Sequence, residues 1–194
     1  MVYQCRKTGI KISPWHIALG FVFALILAVM LDFTGIPSIR FIANNGTITH
    51  QGLHIPMDEI NLIPFHSLAA DARPYLENIL LFVPFGFLLP LIWEQYHPFR
   101  KTMLAGLSFS FVIEFSQLFD RRITDIDDLL MNTLGTLVGW LLWQIMKKCF
   151  SRIYEKISIK NTERGKLPFL LRHEAVFYMI SAFFGMLFLY SPLL

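Results

Sequence analysis

Glu114 and Gln117 are spaced i and i+3, so they share one face of a helix, and Arg121 continues that face at i+7. Eight residues on from Gln117, Asp125-Ile126-Asp127-Asp128 opens the next apolar stretch. Asp128 and Asn132 (i, i+4) form a stripe that Gly135 and Gly139 extend. Upstream lie Glu77-Asn78, Arg73 and the segment Asn61-Leu62-Ile63-Pro64-Phe65. These polar residues stand in or beside apolar segments, where charge is costly and each ionisable group needs a partner or a task. Two kinds of task suit them. Asparagine, glutamine and arginine side chains bind sugar, peptide, phosphate or carboxylate groups. Carboxylates such as Asp125, Asp128 and Glu114 hold a divalent cation through oxygen or move a proton. A covalent mechanism finds less support. No Ser–His or Cys–His pair, HExxH or Walker motif accompanies the cluster.

The elements that position these residues are membrane helices. The 194 residues are 55% hydrophobic and only 16% charged, with a mean hydropathy of +0.52. A soluble domain carries about 25% charged residues. Five apolar segments are predicted spans: about 15–33, 78–93, 102–119, 129–146 and 175–193. The second is short and holds Pro84 and Pro90, so a start nearer Pro74 is an alternative. The first follows Arg6, Lys7 and Lys11 but lacks a small-residue cleavage site, and it reads as an uncleaved anchor.

Orientation follows from the loops. With the N-terminus in the cytoplasm and the C-terminus outside, only Arg40, Arg73, Arg121 and Arg122 of the 17 lysines and arginines fall on the outer side. The basic pI of about 8.9 thus reports membrane topology; nucleic acid is not an expected partner. Residues 147–173 read as a basic amphipathic segment on the cytoplasmic leaflet, with Phe150, Ile153, Tyr154 and Ile157 on one face. Cys5 and Cys149 fall on the reducing side, where no disulfide is expected. His54 and His66 lie in the outer loop without ligand spacing. Around Asn45-Gly46 that loop carries the signal of a small hairpin, at about 40–50.

The fold expected is therefore a single all-α membrane domain. Topology places Asn61, Asn78, Glu114, Gln117, Arg122, Asp125, Asp128 and Asn132 at or just beneath the outer surface, in a polar pocket built by the second, third and fourth spans. Gly86, Gly135 and Gly139 are expected packing positions. Phe82, Phe85, Phe109, Phe111, Phe115 and Phe119 face lipid on this reading, or border an acyl chain.

Four motifs occur in order: Asn61-Leu62-Ile63-Pro64-Phe65; Asn78-Ile79-Leu80-Leu81-Phe82-Val83-Pro84-Phe85-Gly86; Glu114-x-x-Gln117; and Arg122-x-x-Asp125-Ile126-Asp127-Asp128-x-x-x-Asn132-x-x-Gly135. In these the chain resembles the VanZ-like family of bacterial membrane proteins, with a core at about 61–146. The family takes its name from a protein encoded with glycopeptide-resistance genes that raises resistance to teicoplanin. The resemblance implies a multi-pass protein of the bacterial plasma membrane. Its implied partners are the bilayer and a lipid-linked cell-wall precursor or an acylated glycopeptide. The first expectation is a binding protein without a cofactor. The alternative is a hydrolase or transferase acting on a lipid-linked precursor, with a divalent metal at Asp125 and Asp128. A flippase or transporter is the third, suggested by the proline-interrupted second span.

Overall fold

The computed structural model describes residues 13–39, 42, 48–49, 52–53, 60–61, 63–65, 71–119, 124–149 and 169–189. The fold is all-helical, and the described residues include five helices of span-like position and two short helical turns, one of them at Glu94–Tyr96. α1 covers Pro14–Thr34, α2 Arg73–Ile92, α3 Phe99–Gln117 and α4 Ile126–Cys149. The short α5, Phe169–Arg172, precedes α6, Glu174–Leu189. By length and composition, α1, α2 and α4 can each cross a membrane. The 19-residue α3 and the 16-residue α6 complete the bundle.

Local chemistry sets the helix ends. Ser13 accepts the Trp15 N–H at 3.3 Å and Pro14 occupies the first turn, where a missing N–H costs nothing. Gly35 closes α1 in the left-handed region (φ 68°), its N–H donating to the Asp32 carbonyl at 3.1 Å. α2 starts at Arg73, five residues before Asn78 and at the alternative start near Pro74. Pro74 in its first turn supplies the preset φ that lets it begin there. The earlier start gives this span its full length despite the internal Pro84 and Pro90. The expected end of the last span at 193 lies outside the described residues.

Two-residue pairings occur in the loops. β1 (Ile48–Thr49) runs antiparallel to β2 (Gly52–Leu53), with Ile48 opposite Leu53. This hairpin sits a few residues after the predicted one, and the Asn45-Gly46 turn itself lies outside the described residues. β3 (Ile60–Asn61) runs parallel to β4 (Thr124–Asp125). It ties the loop before α2 to the start of α4.

Both faces of the helices are apolar, as a bilayer requires. On α1, Phe23, Leu27, Met30 and Leu31 are buried in the bundle, while Phe21 and Phe33 are 72% and 76% exposed. Such residues cannot face water in number, and they mark the lipid side. The expected phenylalanine wall divides in two. Phe82, Phe85 and Phe109 are core, the last two stacked at 5.4 Å. Phe111 and Phe115 are exposed.

α2 and α4 form the tightest pair. A Cβ on Gly135 would strike the Ile79 carbonyl and lie 2.9 Å from the Phe82 Cβ. On Gly139 it would strike the Val83 carbonyl, and on Gly86 it would lie 2.7 Å from the Thr136 Cα. These glycines let two backbones touch, the small-residue packing that membrane helices use in place of a hydrophobic driving force.

The end of the bundle that holds the α2–α3 turn carries a polar knot that no sequence spacing announced. His16 Nε2 and Glu174 Oε2 lie 2.7 Å apart, both buried, and Trp93 Nε1 donates to the same oxygen at 3.1 Å. This joins the starts of α1 and α6 to the end of α2. Nearby, Trp140 donates to the His97 carbonyl at 3.1 Å, and the His97 ring hydrogen-bonds the Pro90 carbonyl. Burial, with Lys147 close by, pushes the His97 imidazole down to about 4, so it is neutral at physiological pH.

Glu174→Ala should therefore lower the thermal midpoint in detergent by the equivalent of about 2 kcal/mol, because it strands the His16 and Trp93 donors. Glu174→Gln, which keeps an acceptor oxygen, should recover part of that loss. Unfolding unchanged in both variants would contradict the role assigned to the knot.

Candidate functional site

The opposite end of α2, α3 and α4 gathers the acidic residues. Asn78, one turn into α2, donates from Nδ2 to Asp128 Oδ1 at 2.6 Å. From α3, Glu114 faces Asp128 and Asp125 and takes a hydrogen bond from the Asp125 backbone. Asn132, one turn along from Asp128, donates to the Ser110 hydroxyl of α3 at 2.9 Å. Glu114 and Asn132 are 5% and 1% exposed. One oxygen of each, Glu114 Oε2 and Asn132 Oδ1, is buried with no hydrogen-bond partner among the described residues. Buried acceptors are normally satisfied, so two unmet ones in a single cluster among the described residues set this end of the bundle apart.

Asp127 has a different task. Its carboxylate accepts the Phe65 N–H at 2.8 Å on both oxygens and the Tyr75 hydroxyl at 2.7 Å. Its own N–H donates to Asp125 Oδ1 at 3.0 Å, an Asx turn at the start of α4. Phe65 holds φ 61°, unusual for a residue with a Cβ. Phe65 takes this left-handed step directly after Pro64, and its N–H is held by Asp127. The Asn61–Phe65 segment is thereby pinned twice, once by the β3–β4 pairing of Asn61 with Asp125 and once by Asp127. Successive residues on a helix point about 100° apart. Asp127 consequently turns toward the loop and Tyr75 while Asp128 turns toward Asn78.

The predicted residues thus fall into groups. Asn78, Glu114, Asp125, Asp128 and Asn132 come together, with the Asn61 backbone at their edge. Gln117 points elsewhere: its Nε2 donates to the Thr34 carbonyl at 2.8 Å, latching α3 to the end of α1. Arg73 is exposed and pairs with Asp71 at 2.9 Å, holding the Asp71 carboxyl below the usual carboxylate range. Arg121 and Arg122 lie outside the described residues. Tyr75 was not foreseen, although its i+3 spacing to Asn78 was available as a signal.

The side-chain amides of Asn78, Gln117 and Asn132 each donate one hydrogen bond within the protein. The atoms of the cluster left without a partner among the described residues, Glu114 Oε2 and Asn132 Oδ1, are oxygens, which accept hydrogen bonds. For the metal alternative, no group of three or more His, Cys, Asp or Glu side chains is arranged to hold an ion among the described residues.

The VanZ/LLP1 family model matches residues 21–147, from within α1 to near the end of α4. Protein VanZ of Enterococcus faecium is 32% identical over 92 residues, which is 46% of this chain and 55% of that protein. The chain thus spans about half the length of this curated relative. No solved structure gave a significant match. The family match takes in the Asn61–Phe65 brace, the α2–α4 glycine contact and every residue of the acidic cluster: this membrane protein belongs to the VanZ/LLP1 family.

Proposed function

We propose that the protein is a non-catalytic component of the bacterial plasma membrane that binds an acylated or lipid-linked ligand at the acidic cluster. On this reading the N-terminus is cytoplasmic and the C-terminus external, as the loop charges indicate. The cluster then faces the outer leaflet, where cell-wall precursors and glycopeptides meet the membrane. The observation that carries the reading is the pair of buried acceptors unmet among the described residues, Glu114 Oε2 and Asn132 Oδ1. They lie within a frame held rigid by the Asn78–Asp128 and Asp127–Tyr75 bonds.

Hydroxyl and amide donors of a sugar or peptide headgroup satisfy those acceptors, while an acyl chain lies along the exposed Phe111 and Phe115 face of α3. Arg121 and Arg122, next in sequence, supply charge for a phosphate or carboxylate. Teicoplanin carries an acyl chain. A protein that engages it, or its membrane-bound target, alters access of the drug to cell-wall precursors.

Susceptibility provides the test. A sensitive bacterium expressing the wild type should tolerate more teicoplanin, with little change for vancomycin. Asp128→Ala at matched membrane level should return to the sensitive baseline. Equal protection by both proteins would remove Asp128 from the site. Protection by neither would separate this chain from glycopeptide resistance and turn attention to lipid-linked substrates.

A further inference from the structure

A second site lies between α3 and α6. A cavity of about 760 Å³ opens there. Its walls are apolar, with Ala105 on α3 and Met179 and Phe183 on α6. One end is different. Lys101, Gln95 and His173 line it, where α3 begins and α6 is about to begin. Lys101 is exposed, and Arg100 is exposed beside it.

Three features select the occupant. An apolar void between membrane helices forfeits dispersion contacts unless something apolar fills it. Water finds few polar partners along these walls, Ser108 and Tyr96 among them. The polar end carries positive charge and hydrogen-bond donors at the level where a helix leaves the bilayer, the place of a lipid headgroup. We infer that the α3–α6 groove binds an anionic diacyl phospholipid of the leaflet that meets the α2–α3 turn. One acyl chain lies against Ala105, Met179 and Phe183, and the phosphate is held by Lys101, with Gln95 and His173 donating alongside. The site is distinct from the acidic cluster. Lys101 and Glu114 are thirteen residues apart on α3, about 20 Å along the axis.

Native mass spectrometry of the full chain, released from micelles containing phosphatidylglycerol or phosphatidylcholine, tests this. The wild type should retain one phosphatidylglycerol at lipid levels where phosphatidylcholine is lost. Lys101→Gln, at an exposed position, should weaken that retention about fivefold. Ala105→Phe, which fills the groove, should remove retention of both lipids. Equal retention of the two lipids by the wild type would overturn the assignment, as would no change in Lys101→Gln. A doubling of mass that Ala105→Phe abolishes would give the groove to a second copy of the chain and would equally overturn it.

Discussion

Replacing Gly139 with leucine is expected to prevent the bundle from assembling. A side chain at this position has no room: its Cβ alone would meet the Val83 carbonyl and come within 2.7 Å of the Phe87 nitrogen. Both neighbours are helix backbone, which cannot rotate away as a side chain does. α4 must then move off α2, opening the contact that also includes Gly86 and Gly135. Overpacking a core by a few methylenes costs about 1–3 kcal/mol, and a backbone collision should exceed that range. Detergent extracts should show loss of the monodisperse peak in size-exclusion chromatography, with a collapsed thermal midpoint for any protein recovered. Gly185→Leu is the matched control, because a Cβ there meets nothing within 4 Å. It should behave as the wild type. If Gly139→Leu and Gly185→Leu were equally tolerated, the close α2–α4 approach would be wrong.

The second large effect is expected from Asp127→Ala. The substitution removes the acceptor of the Phe65 N–H and the Tyr75 hydroxyl together. Each stranded donor costs about 1–3 kcal/mol. The left-handed backbone of Phe65 also loses the bond that offsets its strain. A loss of about 3 kcal/mol or more follows, together with release of the loop before α2. Limited proteolysis should cut between 36 and 72 much faster than in the wild type. Tyr75→Phe strands no donor and removes a single bond, so about 1 kcal/mol is expected from it, with little added cleavage. Unchanged proteolysis in Asp127→Ala would contradict the brace.

Several parts of this architecture were legible in the sequence for physical reasons. Long apolar runs have few outcomes, so the spans and the third–fourth hairpin followed from hydropathy and a short loop. The glycine stripe of α4 was visible as spacing, and it lies against α2. Helix ends were less legible. α2 starts at Arg73 because Pro74 favours a first turn even though its flanks are polar. Burial was less legible still. Nothing in composition distinguishes Phe109, in the core, from Phe111, on the exposed face; only their rotation about α3 does.

The adjacent aspartates show the limit most clearly. Asp127 and Asp128 are the same residue type, yet one braces a loop and the other joins the cluster. The partners of Asp127 lie 52 and 62 residues away in sequence. The bond between His16 and Glu174 spans 158 residues. No local pattern encodes such pairs, and only the packed bundle brings them together. The acidic cluster was gathered from topology alone, since every member sits near the same end of its helix. Gln117 shares that end but faces α1, a difference of rotation that topology does not carry.

The most direct test of the central claim is equilibrium binding of teicoplanin and vancomycin to the protein in lipid nanodiscs, comparing the wild type with Glu114→Gln. The change is nearly isosteric, and it exchanges a buried acceptor oxygen for an N–H₂ group. The account predicts saturable teicoplanin binding by the wild type, affinity weakened about tenfold or more in the variant, and little vancomycin binding by either. Equal teicoplanin affinity in both proteins, or equal binding of the two antibiotics by the wild type, would contradict it.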